Sequence, residues 1–214
     1  RVAHALAKVE KNYGRDAKFI KKAEENFFEI MSAKEYTPAG RTLTNAGSGT
    51  ALIANCIVLP VMDSMESIFD AVKATAVIHK SGGGTGYNFS RLRPRGDFVG
   101  NTGGVSSGPI SFMQVFDMVT NVVKQGGKRR GAMMGILNID HPDILQFITA
   151  KTQEGILQNF NISVAITSEF MDAVKKGKTY KLINPKNNQP VGELNATEVF
   201  DKVAKLAWET GDPG

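Results

Sequence analysis

The chain has 214 residues, 42% apolar and 22% charged, with 22 glycines, 8 prolines and one cysteine. It is too apolar for a disordered tail, one thiol excludes an internal disulfide, and no apolar run approaches the roughly 18 residues of a membrane helix. Lys and Arg outnumber Asp and Glu by 26 to 21, a net charge of +5, but they stand in short groups (Lys21-Lys22, Lys128-Arg129-Arg130, Lys175-Lys176), which suits the handling of anions without marking a nucleic-acid stripe.

Residues 1–33 read as helices. Ala3, Leu6, Ala7 and Val9 form one apolar face. Gly14 and Asp16 break and restart it, and Phe19, Ala23, Phe27, Ile30 and Met31 continue at helical spacing. Residues 36–50, rich in Thr, Gly, Ser and Asn, read as a loop. Residues 52–61 form an apolar run of strand length. Asp63 or Ser64 then caps a helix with Met65, Ile68, Phe69, Val72 and Ala76 on one side. It stops at Ser81-Gly82-Gly83-Gly84, before a short strand at 86–89. Residues 91–108 are expected to be a long loop. Pro109 starts a helix to about Val123 that is apolar on several faces, as in a buried or subunit-contacting helix.

Residues 124–131 form a second glycine-rich, basic loop. Strands are expected at 132–139, 160–166 and 180–183. Helices are expected from Pro142 to about Ala150, from Ser168 to Lys176 and from Thr197 to about Glu209, with a turn at 184–192. Alternating strands and helices imply an α/β domain with a mostly parallel sheet, whose ligands sit at the strand ends. Gly211-Asp212-Pro213-Gly214 is a turn signal, after which a further strand is expected.

These features leave the chemistry open. Ser81-Gly82-Gly83-Gly84-Thr85-Gly86 has the glycines of a phosphate cradle, but it follows a helix and lacks the Gly-Lys-Ser/Thr ending, so a plain helix-to-strand turn fits it as well. Gln125-Gly126-Gly127-Lys128-Arg129-Arg130-Gly131 offers planar cations on a glycine backbone, or is a solvated turn. Arg91 and Arg93 are surface residues or anion ligands. Cys56, within an apolar strand, reads as a buried thiol with no neighbour to activate it. His4, His79 and His141 lack metal-ligand spacing. Asp140-His141-Pro142-Asp143 reads as a helix start.

The order of the segments is more specific. Asn55-Cys56-Ile57-Val58-Leu59-Pro60, Asp63-Ser64-Met65-Glu66-Ser67-Ile68, the stretch from His79 to Gly86, Phe89-Ser90-Arg91-Leu92-Arg93-Pro94, Thr102-Gly103-Gly104-Val105-Ser106-Ser107-Gly108-Pro109, the stretch from Lys124 to Gly131 and Asn159-Phe160-Asn161-Ile162-Ser163-Val164 together closely resemble the large chain of ribonucleotide reductases, in the adenosylcobalamin-dependent variety. The match runs from about Gly40 to Gly214. One departure is Met133, where relatives often carry Asn.

The resemblance implies the first half of a ten-stranded α/β barrel at 37–214, preceded by a helical segment at 1–36. It implies that Cys56 is the N-terminal member of a redox pair, protonating the departing 2′-hydroxyl of a ribonucleotide and ending in a disulfide. The second cysteine and the radical cysteine are expected beyond Gly214, so the segment alone is expected to be inactive. Thr42 falls where the substrate phosphate binds, and Asn55 lines the substrate pocket. Gly83 and Gly84 resemble backbone that passes close to the nucleotide. Asp63, Ser64, Met65, Lys80 and Arg93 resemble the specificity site for a deoxynucleoside triphosphate or ATP effector. Residues from Val99 to Ser106 match a first specificity loop. Lys124, Gln125 and Arg129 match a second, with Gln125 and Arg129 also facing substrate.

The helices from Ser64 and Pro109 would pair two copies in a homodimer. Adenosylcobalamin, a thioredoxin-type reductant, the C-terminal half of the enzyme and a cytoplasmic location are implied. No resident metal, nucleic acid or membrane is expected as a partner. The alternative is a non-enzymatic nucleotide-binding dimerisation module that keeps only the effector site.

Overall fold

A computed structural model describes residues 1–49, 52–100, 103–123, 131–152 and 155–214. It divides into two compact units, Arg1–Ile57 and Val58–Gly214. In the first, helix α1 (Val2–Ala7) runs into a 3-10 helix (Lys8–Tyr13) that ends at Gly14, left-handed at φ 73. Asp16 restarts the chain: its carboxylate accepts from the Phe19 amide at 2.7 Å and caps α2 (Ala17–Ser32). A short helix, α3 (Gly40–Asn45), lies where a loop was expected. Two of its polar side chains bond to carbonyls beyond the helix. Thr42 Oγ1 donates to Ile53 O at 3.2 Å and Asn45 Nδ2 to Leu52 O at 2.7 Å. Helical structure thus runs past Tyr36.

Strand β1 (Cys56–Leu59) crosses the division, and Val58 and Leu59 belong to the second unit. There follow α4 (Met65–Lys80), β2 (Gly84–Asn88), β3 (Phe98–Val99), β4 (Gly104–Val105), α5 (Pro109–Val122) and β5 (Met133–Asn138). The order continues with α6 (Ile144–Ile148), β6 (Phe160–Ala165), α7 (Ser168–Lys175), β7 (Thr179–Asn184), β8 (Gln189–Asn195) and α8 (Ala196–Thr210). The main sheet has the order β1-β2-β5-β6, with β2, β5 and β6 parallel. The expected α/β class and parallel sheet are present.

Three local expectations change. The loop at 91–108 carries the antiparallel pair β3–β4. The turn at 184–192 is half of a β7–β8 hairpin, whose return strand is masked in sequence by Gln189, Pro190, Gly192 and Asn195. Thr167 and Asn195, not Ser168 and Thr197, cap α7 and α8. After α8, Asp212 Oδ1 accepts from Ile162 N at 3.1 Å, and Gly214 exchanges two backbone bonds of 2.9 Å with Ile162 and Val164. The chain therefore extends the pairing beside β6.

Period-two alternation gives the sheet two unlike faces. Thr85, Tyr87, Met133, Leu137, Phe160 and Ile162 are buried on one. Phe116 of α5 sits 4.7 Å from the Tyr87 ring, which also meets Phe89 and Phe160. The Tyr87 hydroxyl is satisfied by Thr75 and Thr85. Asp117, on α5, accepts from the backbone and side-chain N–H groups of Asn159 at 2.9 and 3.1 Å, tying α5 to the start of β6.

His79 and His141 are both buried, and burial lowers the pKa of each below the ordinary 6.5. As pH falls through 6.5 the unfolded chain takes up these protons first. The stability they lend is therefore whole above that value and lost below it. The melting midpoint is expected to fall progressively from near neutral pH toward about pH 5. A midpoint that both histidine-to-glutamine variants leave with the same acid slope would contradict this.

Candidate functional site

A cavity of about 250 Å³ opens at the N-terminal end of α4. Its lining comes from separate stretches: Asp63, Ser64, Met65 and Ile68; Leu92 and Arg93; Val99, Val105, Ser106 and Ser107; and Phe112. Ser64 caps α4 by accepting from Ser67 N at 3.2 Å, so the positive end of a long helix dipole points to this region. Arg93 donates to Asp63 twice, from Nε at 2.8 Å and from its backbone N at 3.2 Å. Among the described residues its Nη groups have no partner, which leaves the bidentate edge of the guanidinium for an anion. The β3–β4 pair brings Val99 and Val105 over the cavity, and Ser106 is fixed behind it by bonds of 2.8 Å to Gly96 N and Asp97 O. An apolar floor with one carboxylate, one cation and hydroxyls is suited to a small amphiphilic anion.

Asp63, Ser64, Met65 and Arg93, named from the sequence for the effector site, and Val99 and Ser106, named for the first specificity loop, therefore meet around one cavity. Lys80 does not. It ends α4, exposed, about 22 Å along the axis from Met65 at 1.5 Å per residue. Lys124, Gln125 and Arg129 lie outside the described residues. Ile68, Leu92 and Phe112 were not singled out for this cavity, because apolar residues in helix or loop carry no signal of which cavity they line.

Cys56 opens β1 with an exposed thiol, where a buried one was expected. The strand heads the sheet, and its alternation turns Cys56 and Val58 to the exposed side and Ile57 and Leu59 to the other. Beside it in sequence, Asn55 Oδ1 accepts from Arg41 N at 3.1 Å, next to Thr42 on α3. Thr42, Asn55 and Cys56 thus fall in the first unit and Gly83 and Gly84 in the second.

The glycine loop is a helix ending, not a cradle of free donors. Gly82 N donates to His79 O at 2.8 Å, Gly83 N to Ile78 O at 3.0 Å and Thr85 N to Ala132 O at 3.1 Å. What Gly84 and Gly86 contribute is bare backbone on the less buried sheet face. A Cβ on Gly86 would lie 3.8 Å from Met134 Cβ and 4.0 Å from Val58 Cγ2. In register with Gly86 on that face is Asn161 beyond Met134, and in register with Asn88 is Ser163 beyond Ile136. Asn88, Asn161 and Ser163 went unremarked as site residues, although polar side chains alternating with Phe160, Ile162 and Val164 were the available signal. Met133 is 2% exposed on the helix side, where its sulfur accepts from Thr120 Oγ1 at 3.2 Å, so this residue bears on core packing and not on the open face. Among the described residues no cluster could hold a metal ion, and no helix is long and apolar enough to cross a membrane.

Comparison with known proteins gives two family matches: "Ribonucleotide reductase, all-alpha domain" at residues 1–51 and "Ribonucleotide reductase, barrel domain" at residues 54–214. A vitamin B12-dependent ribonucleoside-diphosphate reductase of Thermoplasma acidophilum is 52% identical over 189 residues, 88% of this chain and 25% of the relative. One from Mycobacterium tuberculosis is 44% identical over 191 residues, 89% of this chain and 28% of the relative. The large subunit of the Vaccinia virus ribonucleoside-diphosphate reductase is 32% identical over 164 residues, 74% of this chain and 21% of the relative. The chain spans about a quarter of the length of these relatives.

Proposed function

The chain belongs to the ribonucleotide reductase family, and from that premise we propose that it forms part of a reductase that makes 2′-deoxyribonucleotides, supplying one redox thiol and the effector cavity. In this reading Cys56 donates a proton to the departing 2′-hydroxyl, which leaves as water. The two electrons of the reduction come from Cys56 and a second thiol as they join in a disulfide. The 214 residues hold one cysteine, so the second thiol comes from outside them. The exposed position of Cys56 on a strand supports this role, because a strand fixes direction while exposure admits a substrate. In this reading Thr42 offers its hydroxyl to the substrate phosphate and Asn55, next to Cys56 in sequence, lines the substrate pocket.

Relatives named for vitamin B12 support adenosylcobalamin as the cofactor of the whole enzyme, where it would supply the radical. The cavity beside Arg93 has about 250 Å³, far too little for a corrinoid, so no cofactor contact is assigned to its residues. Two copies would meet through α4 and α5, whose Met65, Phe69, Val77, Met118 and Val122 are exposed apolar side chains. A thioredoxin-type dithiol would reduce the disulfide. That relatives are reductases does not favour a purely binding module.

The observation that carries the effector reading is the single cavity that gathers Asp63, Ser64, Met65, Arg93, Val99 and Ser106. Asp63 is suited to ribose hydroxyls and Arg93 to phosphate. Thymidine triphosphate is expected to bind there. The double variant Asp63→Ala, Arg93→Ala should weaken it by at least about tenfold, the loss of one charge-assisted contact. Calorimetric titration giving equal affinity for variant and parent would remove the effector from this cavity.

A further inference from the structure

The stretch from Asp140 to Asp143 is more than the start of α6. Asp143 stands at the N-cap position, yet its side chain caps nothing. Its Oδ2 instead accepts from Arg95 N at 2.9 Å, 48 residues back along the chain. A helix start that forgoes its cap for a distant partner has been committed to holding that partner. His141, 2% exposed, does the same two residues earlier. Its Nδ1 lies 3.0 Å from the Asp143 amide, which can only donate, so Nδ1 is the unprotonated nitrogen. Nε2 then carries the proton and donates to Leu92 O at 2.9 Å.

These two bonds grip the backbone on either side of Arg93, at Leu92 and at Arg95. Asp63 holds Arg93 itself through Nε and the backbone amide. Gly108 completes the corner. A Cβ there would stand 2.8 Å from Asp143 Oδ2 and 3.0 Å from Arg95 N, so the Asp143–Arg95 bond passes over a residue that must be glycine.

We propose that His141 and Asp143 are positioning residues that aim the Arg93 guanidinium at the phosphates of a nucleotide in the cavity of Asp63, Ser64 and Ser106. This rests on the effector reading above. Neither residue lines the cavity, so each acts through the Leu92–Arg95 backbone.

The test compares thymidine triphosphate with thymidine monophosphate, titrated into the full-length protein and its variants. A guanidinium aimed at phosphates makes the triphosphate bind more tightly than the monophosphate, and that ratio is the readout. Arg93→Ala should collapse the ratio by about tenfold or more. Asp143→Ala should lower it several-fold, and Asp143→Asn, which keeps an acceptor for Arg95 N, should restore it to within about twofold. His141→Phe, which cannot donate to Leu92 O, should behave like Asp143→Ala. If Asp143→Ala does not fold, Asp143→Ser, too short to reach Arg95, is read in its place. A parent ratio in Asp143→Ala beside a collapsed one in Arg93→Ala overturns the proposal. So does an equal weakening of both nucleotides, which marks a merely structural corner. A ratio unmoved by Arg93→Ala overturns the effector reading itself, and the proposal with it.

Discussion

Cys56→Ser is expected to abolish multiple-turnover reduction by the full-length protein, a loss on the order of a thousandfold or more, about 4 kcal/mol in the barrier. Serine preserves the size of the side chain and its place at the start of β1, so the fold should be untouched. A hydroxyl, however, is a far weaker acid than a thiol and cannot close a disulfide, so neither the proton transfer nor the electron supply survives. Thymidine triphosphate affinity should stay within about twofold, because Cys56 does not line the cavity of Asp63 and Arg93. Steady-state assays with a dithiol reductant decide it. Undiminished turnover in the variant would take Cys56 out of the reaction.

Phe116→Ala is expected to cost about 3–5 kcal/mol of stability. The ring is fully buried, 4.7 Å from Tyr87 and 5.7 Å from Phe89, edge-on to the latter. Removing it empties the junction between α5 and the helix-facing side of β2, and the neighbours are rings that cannot collapse into the space. For a chain of this length the melting midpoint should drop by on the order of 10 °C. A drop below about 2 °C would mean that the aromatic cluster is not the centre of this core. Phe112→Ala, at a half-buried position one turn earlier on the cavity wall, should cost distinctly less stability.

Much of the fold was legible because its signals are local. The Asp16 and Ser64 caps, Pro109 at a helix start and the period-two strands each announce themselves within a few residues. What was missed depends on distant partners. α3 forms among Thr and Asn residues because Ile53 and Leu52 accept their side chains. Strand β8 forms across Pro190 and Gly192 because β7 lies beside it. The exposure of Cys56 follows from β1 heading the sheet, which no apolar run in sequence reports.

The site was readable in the same divided way. Asp63, Arg93, Val99 and Ser106 could be named from the order of motifs, and one cavity brings them together. Lys80 shares a motif with its neighbours but sits at the far end of α4. Asp143 reads in sequence only as part of a helix start, because sequence shows its position and not its partner.

In each cycle the sulfur at position 56 is expected to be consumed as a disulfide and regenerated. The most direct test is a single turnover of the pre-reduced full-length protein with adenosylcobalamin, a ribonucleoside diphosphate and no external dithiol, quenched by alkylation and mapped by mass spectrometry. The expected result is that Cys56 passes from alkylated thiol to disulfide in step with deoxynucleotide, one bond per product. Deoxynucleotide accumulating while the Cys56 peptide stays fully alkylated would contradict the account.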